Sequence, residues 1–83
     1  LLVKPGLPYL DVLYRLKTSL NMPIFAYQVS GEYAMLKSAI GSNMLDEKKS
    51  VMESLACFKR AGSTGVISYF STQVARWIVN EEI

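Results

Sequence analysis

Three side chains in this sequence have types and positions that could do chemistry together, a lysine amine, a hydroxyl and a phenol: Lys4, Ser30 and Tyr69. Lys4 follows the apolar run Leu1-Leu2-Val3 and precedes Pro5-Gly6. An amine at the end of a buried strand keeps its stem in a low-dielectric surround, and desolvation disfavours the ammonium form. Its ordinary pKa, about 10.4, must fall by roughly 3 pH units before it is a good nucleophile near neutrality. A desolvated lysine of this kind forms imines with ketones and aldehydes. The plainer alternative is a lysine whose charge points from a strand end into water. Ser30 offers a hydroxyl, and equally a helix N-cap. Tyr69 offers a phenol at a strand end, where packing with the OH at a rim serves as well as binding.

Other reactive types carry less. Asp46-Glu47 resembles a paired-carboxylate site, but adjacent acids at a helix start serve capping and the helix dipole. Cys57, the one cysteine, lies in the apolar run Leu55-Ala56-Cys57-Phe58 and reads as a packed core thiol in a reducing compartment. The chain has no histidine, which excludes His-dependent triads within it and leaves few zinc-ligand types. Net charge is only +2, and the adjacent basic pairs Lys48-Lys49 and Lys59-Arg60 suit solvated helix faces, so no nucleic-acid footprint is expected. No apolar run reaches the roughly 18 residues that span a bilayer, so no membrane partner is expected.

The elements that position these residues follow from the hydrophobic pattern. Leu1-Leu2-Val3 is a strand stopped by Pro5-Gly6. Pro8 suits the first turn of a helix carrying Leu10, Leu13, Leu16 and Leu20 as one stripe, with Tyr9 beside them. The run from Ile24 to Val29 is a second strand, bounded by Pro23 and Ser30-Gly31, and a helix capped by Ser30 or Gly31 follows from Glu32 to about Ile40. After a Gly41-Ser42-Asn43 loop, Asp46 caps a helix with Val51, Met52, Leu55 and Phe58 inward and Gly62 as a left-handed stop. The run from Val66 to Phe70 is a third strand. Ser71 or Thr72 caps a last helix with Val74, Trp77 and Ile78 on one side and Trp77 as its anchor. This alternation predicts an α/β fold with a parallel sheet.

Three parallel strands are too few for a sheet covered on both faces. The expected architecture is therefore three βα units of a TIM (β/α)8 barrel, incomplete on its own, with a doubly wound sheet as the alternative. No Gly-rich phosphate loop follows any strand, which weighs against nucleotide binding. The chain has no initiator methionine, and 51% of it is hydrophobic; both are expected of part of a larger fold, with apolar surface meant for a partner. In either parallel architecture working residues gather at the carboxyl ends of strands. That rule brings Lys4, Ser30 and Tyr69 to one rim.

The segment Val3-Lys4-Pro5-Gly6-Leu7-Pro8-Tyr9-Leu10-Asp11 resembles the surroundings of the second active-site lysine of the porphobilinogen synthase (δ-aminolevulinic acid dehydratase) family. The run from Ala26 to Met35 (AYQVSGEYAM) is similar to that family's most distinctive stretch, and Glu53-Ser54-Leu55, Lys59-Arg60-Ala61-Gly62 and Ser68-Tyr69-Phe70 follow at its spacing. The stretch from Ile40 to Met44 is least like it. The resemblance implies an enzyme condensing two molecules of 5-aminolevulinate to porphobilinogen in tetrapyrrole synthesis. It implies that Lys4 forms an imine with the substrate that supplies the propionate arm. Ser30 and Tyr69 would hold that substrate's carboxylate, and Tyr27 would line the pocket. It further implies that residues 1–83 are the last three of eight βα units in one catalytic barrel domain. The other lysine, the segment for a zinc or magnesium ion and the second-substrate residues would lie upstream, and this segment binds no cofactor itself. The whole enzyme would be a homo-octamer, cytoplasmic or in a plastid-type organelle. Two readings compete: another Schiff-base barrel enzyme of aldolase type, and a non-catalytic α/β binding module.

Overall fold

The computed structural model describes residues 1–81 as a parallel sheet with one layer of helices against it. Strand β1 is Leu2–Val3, and Leu7–Tyr9 form a 3-10 turn leading into helix α1, Leu10–Ser19. Strand β2 is Phe25–Gln28 and helix α2 is Ser30–Gly41. Helix α3, Glu47–Ala61, precedes strand β3, Gly65–Ser68, and helix α4, Ser71–Val79. Strand order is β1-β2-β3 with both pairings parallel. Val3 aligns with Ala26 and Ala26 with Val66, so all three carboxyl ends face the same way.

The period-2 alternation of strands divides the sheet into two unlike faces. Val3, Ala26 and Gln28 are buried, and Val3 and Ala26 pack with Leu13 of α1, Ile24 and Phe58 of α3. Leu2 (47% exposed), Phe25 (40%) and Ile67 (50%) lie on the opposite face without cover. A second apolar cluster joins Val51, Phe70, Val74 and Trp77, so Trp77 anchors α4 as expected. Helices on one face only, with no reversal of strand order, are the winding of a barrel and not of a doubly wound sheet, which carries helices on both faces. The bare face is the one a closed barrel turns inward.

Helix limits correct several sequence expectations. The N-cap of α2 is Val29, and its side chain has no hydrogen-bonding atom; the Glu32 carboxylate reaches back to the Val29 N–H instead (2.8 Å). Ser30 is thus the first helical residue and not the cap, and Gly41 belongs to the helix. Likewise Phe70, not Ser71 or Thr72, is the N-cap of α4. Ile78 is exposed, as are Tyr9 and Leu20 at the ends of the α1 stripe. Cys57 is only partly buried, and Arg60 donates to its sulfur (3.4 Å). Asp46 caps α3 by accepting from the Lys49 N–H (2.9 Å), as its position predicts. Glu47 pairs with Lys37 (3.3 Å) and accepts from Gln73 (3.1 Å), tying α2, α3 and α4 together and leaving no acid/base pair with Asp46.

Gly62 ends α3 at φ 105°, with its N–H on the Lys59 carbonyl and the Ser63 N–H on the Phe58 carbonyl, both 3.0 Å. An added Cβ would be strained at that φ and would sit 2.6 Å from Lys17 Cγ. Gly62→Ala is expected to destabilise the full-length protein by about 1–2 kcal/mol, read as a lower urea midpoint at unchanged slope.

Candidate functional site

The carboxyl edge of the sheet gathers the candidate residues, and each is set by a different local device. Tyr27 follows Ala26 on β2, so alternation turns it to the uncovered face with Phe25. Lys4 comes one residue after Val3, level with Tyr27 by continuation of the register, and it is exposed. Tyr69 comes one residue after β3 and is also exposed. The Tyr27 hydroxyl donates to the Tyr69 hydroxyl across 3.5 Å, a long contact that still links the ends of β2 and β3. That bond, then the neighbouring phenol's charge, and then burial hold the Tyr27 pKa above its ordinary value of 10.0. Its phenol therefore stays protonated and able to donate throughout the neutral range.

Tyr69 is wedged by its neighbours. Its ring meets Tyr33 edge-on, with centroids 5.5 Å apart at 84°, and Tyr33 stacks on Phe70 at 4.6 Å. The turn carrying it is pinned from below by a buried polar chain. Gln28 Nε2 donates to Ser54 Oγ (3.0 Å), and the Ser54 hydroxyl donates to the Val51 carbonyl (2.7 Å). On the other side the Ser68 hydroxyl donates to Gln28 Oε1, while the Phe70 N–H donates to Ser68 Oγ (3.0 Å). Both ends of the buried Gln28 amide are satisfied, so it specifies how α3, β2 and β3 meet.

Ser30 and Tyr69 share an open cavity of about 470 Å³, lined also by Tyr33, Ala34 and Lys37. A smaller hollow of about 130 Å³ lies between Tyr27, Ile67, Ser68 and Tyr69. Tyr69 thus borders both. Lys4 lines neither; it stands one strand away, and no other described residue bonds to its amine. Sequence reasoning puts Lys4, Ser30 and Tyr69 on one rim; the fold puts all three at the carboxyl edge, but only Ser30 and Tyr69 share a cavity and only Tyr69 and Tyr27 are hydrogen-bonded.

Glu32 is the residue that sequence reasoning passed over. It is buried, and its carboxylate accepts from the Gly6 N–H (3.0 Å) and Leu7 N–H (2.8 Å), besides that of Val29. The turn after Lys4 is therefore fastened to the start of α2. The signal available was an acid three residues after the cap position, the capping-box spacing. Its reach to Gly6 and Leu7 leaves no local pattern.

This geometry defines a class: part of a singly wound α/β barrel with an amine and hydroxyls on the carboxyl rim. Comparison with known proteins then gives the family. The sequence model for delta-aminolevulinic acid dehydratase matches residues 1–77, and the chain belongs to that family. The chain is 51% identical over 82 residues to the chloroplastic delta-aminolevulinic acid dehydratase of Selaginella martensii, covering 99% of this chain and 20% of that protein. It is 58% identical over 74 residues to the Bradyrhizobium diazoefficiens enzyme of the same name, covering 89% and 21%. It superposes with a TM-score of 0.93 at 48% identity on the Toxoplasma gondii delta-aminolevulinic acid dehydratase (porphobilinogen synthase), crystallised with its reaction product porphobilinogen. That match covers 95% of this chain and 22% of the Toxoplasma one. The chain thus spans about a fifth of the length of the relatives it matches.

Proposed function

We propose that the protein to which this chain contributes one-fifth condenses two molecules of 5-aminolevulinate to porphobilinogen with loss of two waters, and that Lys4 is an imine-forming lysine of that reaction. Residues 1–83 are then the C-terminal part of one catalytic barrel domain. The neutral Lys4 amine attacks the ketone carbon of the substrate, and the ketone oxygen leaves as water after two proton transfers. The resulting protonated imine draws electrons from the neighbouring C–H bond, so that carbon can lose its proton and bond to the second substrate. Expulsion of the amine later in the sequence breaks the C–N bond and returns Lys4. Ser30 and Tyr69 donate hydrogen bonds to the carboxylate of the lysine-bound substrate, fixing which carbon is presented. Tyr27 lines the pocket beside them.

The observation that carries this reading is the cavity shared by Ser30 and Tyr69 at the same carboxyl sheet edge where Lys4 follows β1. Family membership supplies the substrate class. A zinc or magnesium ion of the whole enzyme is read as held by residues outside this segment, whose lack of histidine leaves it few zinc-ligand types. The uncovered sheet face suits closure by the remaining barrel strands, and the complete enzyme is read as a homo-octamer. No helix among the described residues is long and apolar enough to cross a membrane. The location is read as cytoplasm or a plastid-type organelle, and the chloroplastic names of the plant relatives support the second.

The carboxylate assignment is tested in the full-length enzyme with Ser30→Ala and Tyr69→Phe. Each loses one hydrogen bond to a charged group and is expected to raise KM for 5-aminolevulinate by about tenfold to a hundredfold. An unchanged KM in both variants contradicts the assignment.

A further inference from the structure

We infer that Glu32 is a positioning residue for Lys4: its buried carboxylate clamps the Pro5-Gly6-Leu7 turn to the start of α2, and so sets the lysine relative to Tyr27 and Ser30. This rests on the imine role of Lys4 proposed above. Glu32 is 4% exposed, and among the described residues no lysine or arginine pairs with it. A buried carboxylate without a cation is costly unless its lone pairs are filled by donors. Here three backbone N–H groups fill them: Gly6 and Val29 on Oε2, and Leu7 on Oε1.

Only one of those bonds serves the helix that Glu32 belongs to. Capping of α2 needs the Val29 N–H alone. The other two donors come from a turn 26 and 25 residues earlier in the chain, immediately after Lys4. The Gly6 N–H is shared further with the Tyr27 carbonyl at 2.9 Å. Beneath the turn, a Cβ on Gly6 would collide with the Phe58 ring, so the turn can settle no deeper and accept no larger residue. The backbone two residues beyond Lys4 is thus held from the side by hydrogen bonds and backed from below by the Phe58 ring. The amine needs this, because nothing in its own surroundings bonds it among the described residues, and small misplacements of a reacting group are expensive in rate.

The test compares full-length wild-type enzyme with Glu32→Gln and Glu32→Asp. Gln keeps the shape but has one acceptor oxygen, so its NH2 group must face an N–H of the turn. Asp keeps the charge at the start of α2 but is one methylene too short for Gly6 and Leu7. The readouts are the rate of borohydride trapping of 5-aminolevulinate on Lys4, followed by mass spectrometry, and steady-state kcat and KM. Both variants are expected to trap at least about tenfold more slowly, with kcat lowered and KM changed by less than about threefold. Amide exchange in the unmodified enzyme gives a readout independent of variant folding: the Leu7 N–H is expected to be strongly protected. A wild-type trapping rate in both variants overturns the inference. So does a rate restored by Asp alone, which would assign Glu32 only to the charge of α2, or rapid exchange at Leu7. Failure of the wild-type enzyme to be trapped at Lys4 overturns the proposed function and this inference with it, and is thereby distinct from the other outcomes.

Discussion

Lys4→Met in the full-length enzyme is expected to lower kcat for porphobilinogen formation by at least about a thousandfold, the scale of loss when a covalent nucleophile is removed. Methionine preserves an unbranched stem of similar length and removes only the amine, so the imine cannot form while the carboxylate contacts of Ser30 and Tyr69 remain. Substrate binding should accordingly survive, with KM within a few-fold of wild type. Lys4→Arg is expected to fail equally, because a guanidinium stays protonated and does not supply a neutral nitrogen nucleophile. Retention of more than a tenth of wild-type kcat in either variant would remove Lys4 from the chemistry.

The second large effect is on stability. Phe58 is fully buried beneath the sheet, among Val3, Leu13, Ile24 and Ala26. Its ring also lies under Gly6, close enough that the glycine tolerates no side chain. Phe58→Ala is expected to cost about 3–5 kcal/mol through lost burial and an unfilled cavity. Chemical denaturation of the full-length protein measures this, provided the slope with denaturant is unchanged. Activity should fall by more than the unfolded fraction explains, because the cavity opens directly under the turn that follows Lys4. A loss below about 1 kcal/mol would mean that the ring is not part of the core that supports that turn.

Much of this was legible in the sequence, and what was not has a common cause. Strand order, the Asp46 cap, the Gly62 stop and the Trp77 anchor all rest on local chemistry: apolar period, cap residue type and left-handed tolerance. The third strand, expected from Val66 to Phe70, instead runs from Gly65 to Ser68, because Phe70 turns to cap α4. The rim followed from the strand-end rule, which needs only chain direction. By contrast, Glu32 and Gln28 act through partners distant in sequence. The Gly6 and Leu7 N–H groups that meet Glu32, and the Ser54 and Ser68 hydroxyls that meet Gln28, are 25 to 40 residues away. No periodicity records such pairings. Ser30 shows a subtler failure. A hydroxyl residue at a helix start is the usual cap, yet here the acid at the third helical position fills that role and leaves Ser30 to line the cavity. The sequence pattern puts Ile78 on one side of α4 with Val74 and Trp77, but the contact stripe runs through Val74 and Trp77 and leaves Ile78 exposed.

The most direct test of the central claim is to trap the covalent adduct. Full-length enzyme is incubated with 5-aminolevulinate, reduced with borohydride, digested and mapped by mass spectrometry. The predicted result is a stable secondary amine on Lys4 with matching loss of activity. An active preparation in which borohydride and substrate leave Lys4 unmodified would contradict the account.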